Sequence, residues 1–442
     1  MNNNEKTQGL PKLSIAAIWF LSFGILGVQM SFGLMNSQLG RIFQTLGTSP
    51  SLLGLLFIIP PIAGLFVQPL VGGWSDRTWV PKWGRRIPYL IVGTIAAAIT
   101  LFLLPNVGDF GWPSVVTISL AAVITLVLMV AFNMCVQPYK MLIGDMVNQR
   151  QSGFAYSIQS FFLNIGSVLA CLSPWLFTEI GVSNTASKGM VPNSVIFSFY
   201  VAVVVLIFCT IVTVLKVDEY PPKQFNDYHG LEQNGKRAKK STWMLLKDAP
   251  RVFWIVSIIQ LFAYIGFAYM WMYGTSIIAK NVFNTTDPMS SGYQAGGNLF
   301  GILSAVYALA AVVVSLVLAR IPQRKYKLFF SISLVIGGAG FLMSALSHTT
   351  FSQVIAFILI GVGWAGISVY PLTFVTREIP GKYIGVYMGL FNVQICIPQI
   401  VASLASPVIV MVIGSIANIF VIAAVTMGLA AGAVWILHDI RD

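Results

Sequence analysis

The sequence predicts an all-α membrane protein whose twelve spanning helices form two six-helix bundles. Three observations predict it. The chain is 57% hydrophobic and only 9% charged, against roughly 25% charged residues in a soluble domain, so lipid has to cover most of its surface. Apolar runs long enough to cross a bilayer, about 20 residues each, recur between clusters of Gly, Pro and charge. Lysine and arginine collect on alternate loops, as they do on the cytoplasmic side of a membrane.

In chain order, helices are expected at residues 13–36, 50–73, 88–104, 113–142, 152–179, 193–216, 251–279, 296–320, 328–347, 352–374, 385–412 and 415–437. The run that begins at Leu13 has spanning length and no small-residue cleavage site after it, so it reads as the first spanning helix rather than a signal peptide. With the amino terminus cytoplasmic, 22 of the 26 Lys and Arg fall in cytoplasmic segments. Only Arg41, Lys188 and Lys280 fall on external loops, and Lys140 lies inside a helix. Both termini are therefore expected in the cytoplasm, with the chain in the plasma (inner) membrane as a monomer surrounded by lipid. The polar stretch 217–250 contains Pro221-Pro222 and the basic cluster Lys236-Arg237-Ala238-Lys239-Lys240. It divides the chain into bundles at 1–216 and 251–442 and reads as a tether held at the anionic inner leaflet.

The net charge of +12 is accounted for by those loops, and no basic stripe interleaves with aromatics, so no nucleic-acid partner is expected. Cys135, Cys171, Cys209 and Cys396 all lie in apolar runs and read as small buried hydrophobes. His229, His348 and His438 fall in loops or near the chain end. They make no catalytic or metal constellation, and no P-loop is present. No enzyme activity, metal or cofactor is expected.

The strongest local signal is the run from Gln68 to Arg77, with Gly72-Gly73 and Ser75-Asp76-Arg77, followed by Gly84-Arg85-Arg86. It joins the second and third helices. Glycines let backbones approach, and Asp76 can reach a helix N-terminus or an arginine of the opposite bundle. Asp76, Arg77, Arg85 and Arg86 read as a latch that holds one conformation and breaks in another; an ordinary basic loop is the plainer alternative. The halves also echo one another. Pro138 precedes Gly153 and Ser157, as Pro371 precedes Gly385 and Gly389. Such parallel six-helix repeats resemble the major facilitator superfamily, whose halves rock to give alternating access.

A closer resemblance rests on Gly27-Val28-Gln29, Gln68-Pro69, Ser75-Asp76-Arg77 and Gly84-Arg85-Arg86, which look like the plant sucrose–proton symporters and their bacterial relatives. Segments 41–47, 380–389 and 392–399 are similar to the bacterial branch. The resemblance spans nearly the whole chain. It implies the major facilitator fold and a sugar cargo, a disaccharide or other glucoside of the maltose or sucrose type, moved with protons.

Helix four departs from that pattern. Asn133, Pro138 and Lys140 keep the family register, but the acid position is Met129, and Gln137 stands where bacterial members often carry glutamate. No Asp or Glu lies near the middle of any expected helix. An intramembrane acid costs enough to mark a proton path, so its absence opens an uncoupled alternative. Coupling through Asp145, tuned by Lys140, is the other route.

A sugar needs several hydrogen bonds and an aromatic face. Gln29, Gly33 and Asn36 share one face of helix one, and Asn133, Gln137 and Lys140 share one of helix four. Asn164, Tyr264, Trp271, Trp364 and Asn392 complete the candidate set. For any single amide a helix–helix hydrogen bond, about 0.6 to 2 kcal/mol in lipid, is the competing explanation; for Lys140 it is snorkelling to the interface. The expected function is alternating-access sugar transport. Export of another solute and a non-transporting sensor are the alternatives.

Overall fold

The structure, a computed structural model, describes residues 10–229, 242–318, 320–378 and 384–437. Among these the regular structure is helical apart from one isolated bridge between Val80 and Gly84. The first half contains α1 (Ile15–Thr45), α2 (Pro50–Leu56), α3 (Ile59–Ser75), α4 (Ile87–Leu103), α5 (Ser114–Met146), α6 (Gln149–Glu179) and α7 (Asn193–Lys216). Two short helices follow, α8 (Pro222–His229) and α9 (Thr242–Lys247). The second half contains α10 (Arg251–Phe283), α11 (Ser291–Leu318), α12 (Tyr326–Leu346), α13 (Thr350–Glu378), α14 (Ile384–Val412) and α15 (Asn418–Val434). Among the described residues eleven helical spans are long and apolar enough to cross a membrane, and α15 is a shorter apolar helix of 17 residues. The basic cluster at 236–240, His438 and the segment 380–383 lie outside the described residues.

Three expectations are corrected. The second helix is broken into α2 and α3, because Pro60 and Pro61 have no N–H to bond the carbonyls one turn back, and the chain opens at Phe57 and Ile58. The first helix runs on to Thr45, so Arg41 is not an external loop cation but a fully buried helical residue. The helix continues there because Gln38, Arg41 and Gln44, three residues apart on one face, bury against the opposite half. Lys280, too, belongs to the last turn of a helix, α10, rather than to a loop.

In the first half α1 packs on α5, α6 and α7, and α4 packs on α5 and α7. In the second, α10 packs on α11, α14 and α15, while α12 packs on α13 and α15. Small residues permit the tight crossings: a Cβ on Gly166 of α6 would stand 2.6 Å from the Leu26 carbonyl of α1. The outward faces carry largely exposed apolar side chains such as Val115, Leu215, Val313 and Val412, a surface suited to lipid.

The halves meet through α6 with α11, α2 and α3 with α14, and α1 with α10. Their hydrogen bonds cluster toward the face away from the termini, here called the far face. Tyr273 donates to the Pro50 carbonyl at 2.9 Å, Ser276 donates to Gln44 at 2.7 Å, and Tyr293 also bonds Gln44. At mid-depth Asn392 donates to the Gly64 carbonyl at 3.4 Å. These bonds close the far face, whereas nearer the termini a Cβ on Gly153 of α6 or Gly389 of α14 would meet nothing within 4 Å, so the space between the halves opens toward that face.

Candidate substrate cavity

Below the seal lies a cavity of about 650 Å³, within the range of ligand pockets. The first half supplies a wall of amides and hydroxyls: Gln29 and Asn36 from α1, Gln68 from α3, Asn133 from α5, and Ser160, Asn164 and Ser167 from α6. Some of these hold one another. Gln68 donates to Asn133 Oδ1 at 2.7 Å, Asn133 donates to the Met129 carbonyl at 2.7 Å, and Gln29 donates to Ser167 at 2.9 Å. Asn36 makes no side-chain hydrogen bond among the described residues and is open to a ligand.

The second half supplies rings. Trp364 of α13 sits at the centre of an aromatic group, with its ring 5.9 Å from Tyr264, 5.7 Å from Trp271, 4.8 Å from Phe267 and 6.4 Å from Tyr307. All four contacts are edge-to-face, a geometry aromatic pairs favour. Tyr264, Trp271, Tyr307 and Trp364 line the cavity, with Asn392 and Gln399 of α14 beside them. Among the described residues that line it there is no Asp, Glu, Lys or Arg. The site can offer hydrogen bonds and ring faces to a neutral solute.

On the termini face the loop between α3 and α4 forms a charged cluster. Arg86 bonds Asp76 at 2.6 Å, Asp145 at 2.9 Å and the Ser75 hydroxyl. Arg85 pairs with Asp145 at 3.3 Å and lies over the Phe225 ring of α8 at 3.6 Å. Burial opposes the Arg86 charge, yet the Asp145 and Asp76 carboxylates outweigh it and push its pKa up. Glu219 accepts the backbone N–H groups of Arg85, Arg86 and Ile87 at 3.0, 2.7 and 3.0 Å, capping the start of α4. Burial raises the Glu219 carboxyl above the usual range, while those three amides and Arg86 pull the other way. Gly84, at φ +78°, leaves the space the Glu219 side chain fills.

Residues 21–403 match the sequence profile of the Major Facilitator Superfamily. The chain belongs to that superfamily. It is a facilitator-type transporter rather than an enzyme. It is 25% identical to the sucrose transport protein SUC4 of Arabidopsis thaliana over 419 residues, covering 86% of this chain and 81% of the relative. It is 27% identical to the sucrose transport protein SUT5 of Oryza sativa over 450 residues, covering 89% and 82%. Among solved structures, the nucleoside transporter NupG superposes with a TM-score of 0.68 at 15% identity, covering 95% of this chain and 98% of that one. A bacterial homolog of the human lysosomal transporter Spinster, inward-facing and occupied, gives 0.65 at 15% identity, covering 95% and 96%. These two likenesses concern the fold alone.

In this facilitator Gln29, Asn36, Asn133, Asn164, Tyr264, Trp271, Trp364 and Asn392 come together around the cavity. Gln137 and Lys140 do not line it. Gln137 is half-buried one turn nearer the termini, beside Gly72, and Lys140 is exposed beyond it. Asp76, Arg85 and Arg86 meet within the first half, while Arg77 is exposed. Ser167 and Tyr307 lie on unremarkable apolar runs and were not expected; Gln68 belongs to the loop motif, which hid its place in the wall. Met129, at the family's acid position, is buried.

Proposed function

We propose that this chain carries a neutral disaccharide or other glucoside, of the sucrose or maltose type, across the membrane by alternating access. The observation that carries the reading is the cavity itself: an uncharged chamber between two halves, with most of its amides on one wall and most of its rings on the other. A sugar has equatorial hydroxyls for the first wall and C–H faces for the second. The relatives named for sucrose transport support the same cargo. The bundles 1–216 and 251–442 rock about the seated sugar, joined by the tether 217–250. The cation-rich loops on the termini face support a cytoplasmic orientation for that face in the plasma (inner) membrane, so the conformation described is inward-open. We take the working unit to be the monomer. Asp76, Arg77, Arg85 and Arg86 act as the inner latch, released from the opposite half in this state.

Proton symport is what kinship with the sucrose–proton symporters brings forward. A specific observation favours the uncoupled alternative. The acid position holds buried Met129, no carboxylate lines the cavity among the described residues, and Asp145 is engaged by Arg85 and Arg86. Uptake of labelled sucrose and maltose into proteoliposomes, with and without a pH gradient, tests both points. Saturable uptake that stops at equilibration in either condition supports facilitated diffusion. Accumulation driven by the gradient contradicts it, and no flux of either sugar contradicts the cargo.

A further inference from the structure

A cation that the transport reading does not use sits in the far-face seal. Arg41 is fully buried in the last turns of α1. Its Nε donates to Gln294 Oε1 at 2.7 Å, its Nη1 to Asn298 Oδ1 at 3.0 Å and Gln38 Oε1 at 3.2 Å, and its Nη2 to Asn184 Oδ1 at 2.8 Å. Gln38 and Asn184 belong to the first half, Gln294 and Asn298 to α11 of the second. Three of the four amides are oriented by a further bond. Asn298 donates to Thr178 at 2.8 Å, Gln294 donates to the Pro288 carbonyl at 2.6 Å, and Asn184 accepts from Ser194 at 2.7 Å. The guanidinium lies against the backbone of α11 at Gly297, where a Cβ would stand 2.6 Å from Arg41 Cδ and 2.7 Å from Nε.

The four oxygens around this cation are all neutral, and among the described residues Arg41 has no carboxylate partner. A buried ion pair broken by parting its members would strand two charges. A guanidinium among amides holds by charge-assisted hydrogen bonds, and water replaces them when the halves part. Two of the four bonds stay with Arg41 on its own half. The cage therefore closes firmly enough to seal and opens cheaply enough to cycle, as a carrier that must visit both states requires.

We propose that Arg41 is the positioning residue that decides which side the cavity faces: its amide cage closes the far face, and releasing Gln294 and Asn298 opens it. This rests on the alternating-access reading and adds to it the element that sets the balance. Lys188 and Lys280 are suitable reporters, since they line a separate vestibule of about 940 Å³ on the far side of the seal, one from each half.

The test is the spin-label distance between Lys188→Cys and Lys280→Cys in full-length protein whose four native cysteines are replaced, with no sugar added. The wild type is expected to populate chiefly the short distance. Arg41→Gln is expected to raise the ratio of long to short populations at least tenfold, Arg41→Lys less, and Gly297→Ala in the same direction by pushing the guanidinium off α11. Asn298→Asp, which gives the cation a carboxylate, is expected to keep the short population and to slow sugar turnover about tenfold with sugar binding retained. An unchanged ratio in folded Arg41→Gln and Gly297→Ala protein overturns the proposal, as does a long population in Asn298→Asp. If Arg41→Gln does not fold, Gly297→Ala and Asn298→Asp decide by the same criteria. Because the distance needs no sugar, its failure is distinguishable from failure of the sugar reading, which the uptake assay reports.

Discussion

The two walls of the cavity are built from different chemistry. The wall from α1, α3, α5 and α6 presents amides and hydroxyls, several already bonded to each other, as Gln68 is to Asn133. The wall from α10, α11 and α13 presents rings packed around Trp364. Rings give area with little directional demand, so they hold many sugars; amides have fixed donors and acceptors, so they choose among them. On the proposed reading the rings of the second half contribute most of the affinity and the amides, chiefly of the first half but with Asn392 and Gln399 of α14, most of the selectivity, and a sugar bridges both halves. That is also what a rocking carrier needs, since the cargo then touches each moving half.

Changes to each wall can break or sharpen this contrast. Trp364→Ala removes the centre of the ring group and is expected to cut transport of every sugar about 100-fold, ~2.7 kcal/mol at about 1.36 kcal/mol per tenfold. Uptake assays with sucrose and maltose measure it; loss confined to one sugar would place selectivity on the aromatic wall. Met129→Asp restores an acid one turn from Asn133 and is expected to make uptake respond to a pH gradient, about tenfold between imposed gradient and none. No response in folded protein would locate coupling elsewhere or nowhere. Asn133→Ala frees the Gln68 amide and is expected to weaken transport about tenfold, ~1.4 kcal/mol, with unequal effects on sucrose, maltose and their deoxy analogues. Lys140→Ala is expected to lower transport a few-fold through the open mouth, while Trp112→Ala, in the far vestibule, leaves it within twofold. Equal effects of the last two would remove Lys140 from the transport path.

Much of this was readable in the chain, for physical reasons that also mark where reading stopped. Spanning helices announce themselves because lipid forbids charge along about 20 residues. The amides of α1 were recognisable because Gln29 and Asn36 are two turns apart on one face of an otherwise apolar helix. Lys140 shared a face with Asn133 but stands two turns nearer the termini, and periodicity reports the face and not the depth of the cavity floor. Arg41 resembled a loop cation because a charge after an apolar run usually ends a span; only its cage on α11, distant in sequence, explains its burial. The Glu219 cap on α4 was equally hidden, since its partners are backbone amides more than a hundred residues away.

Binding of radiolabelled sucrose and maltose to the purified protein, compared among wild type, Trp364→Ala and Asn133→Ala, tests the central claim most directly. The account predicts saturable binding in the wild type, its loss in Trp364→Ala and a sugar-dependent weakening in Asn133→Ala. Equal binding in all three folded proteins, or none in the wild type, would contradict a sugar site between these two walls.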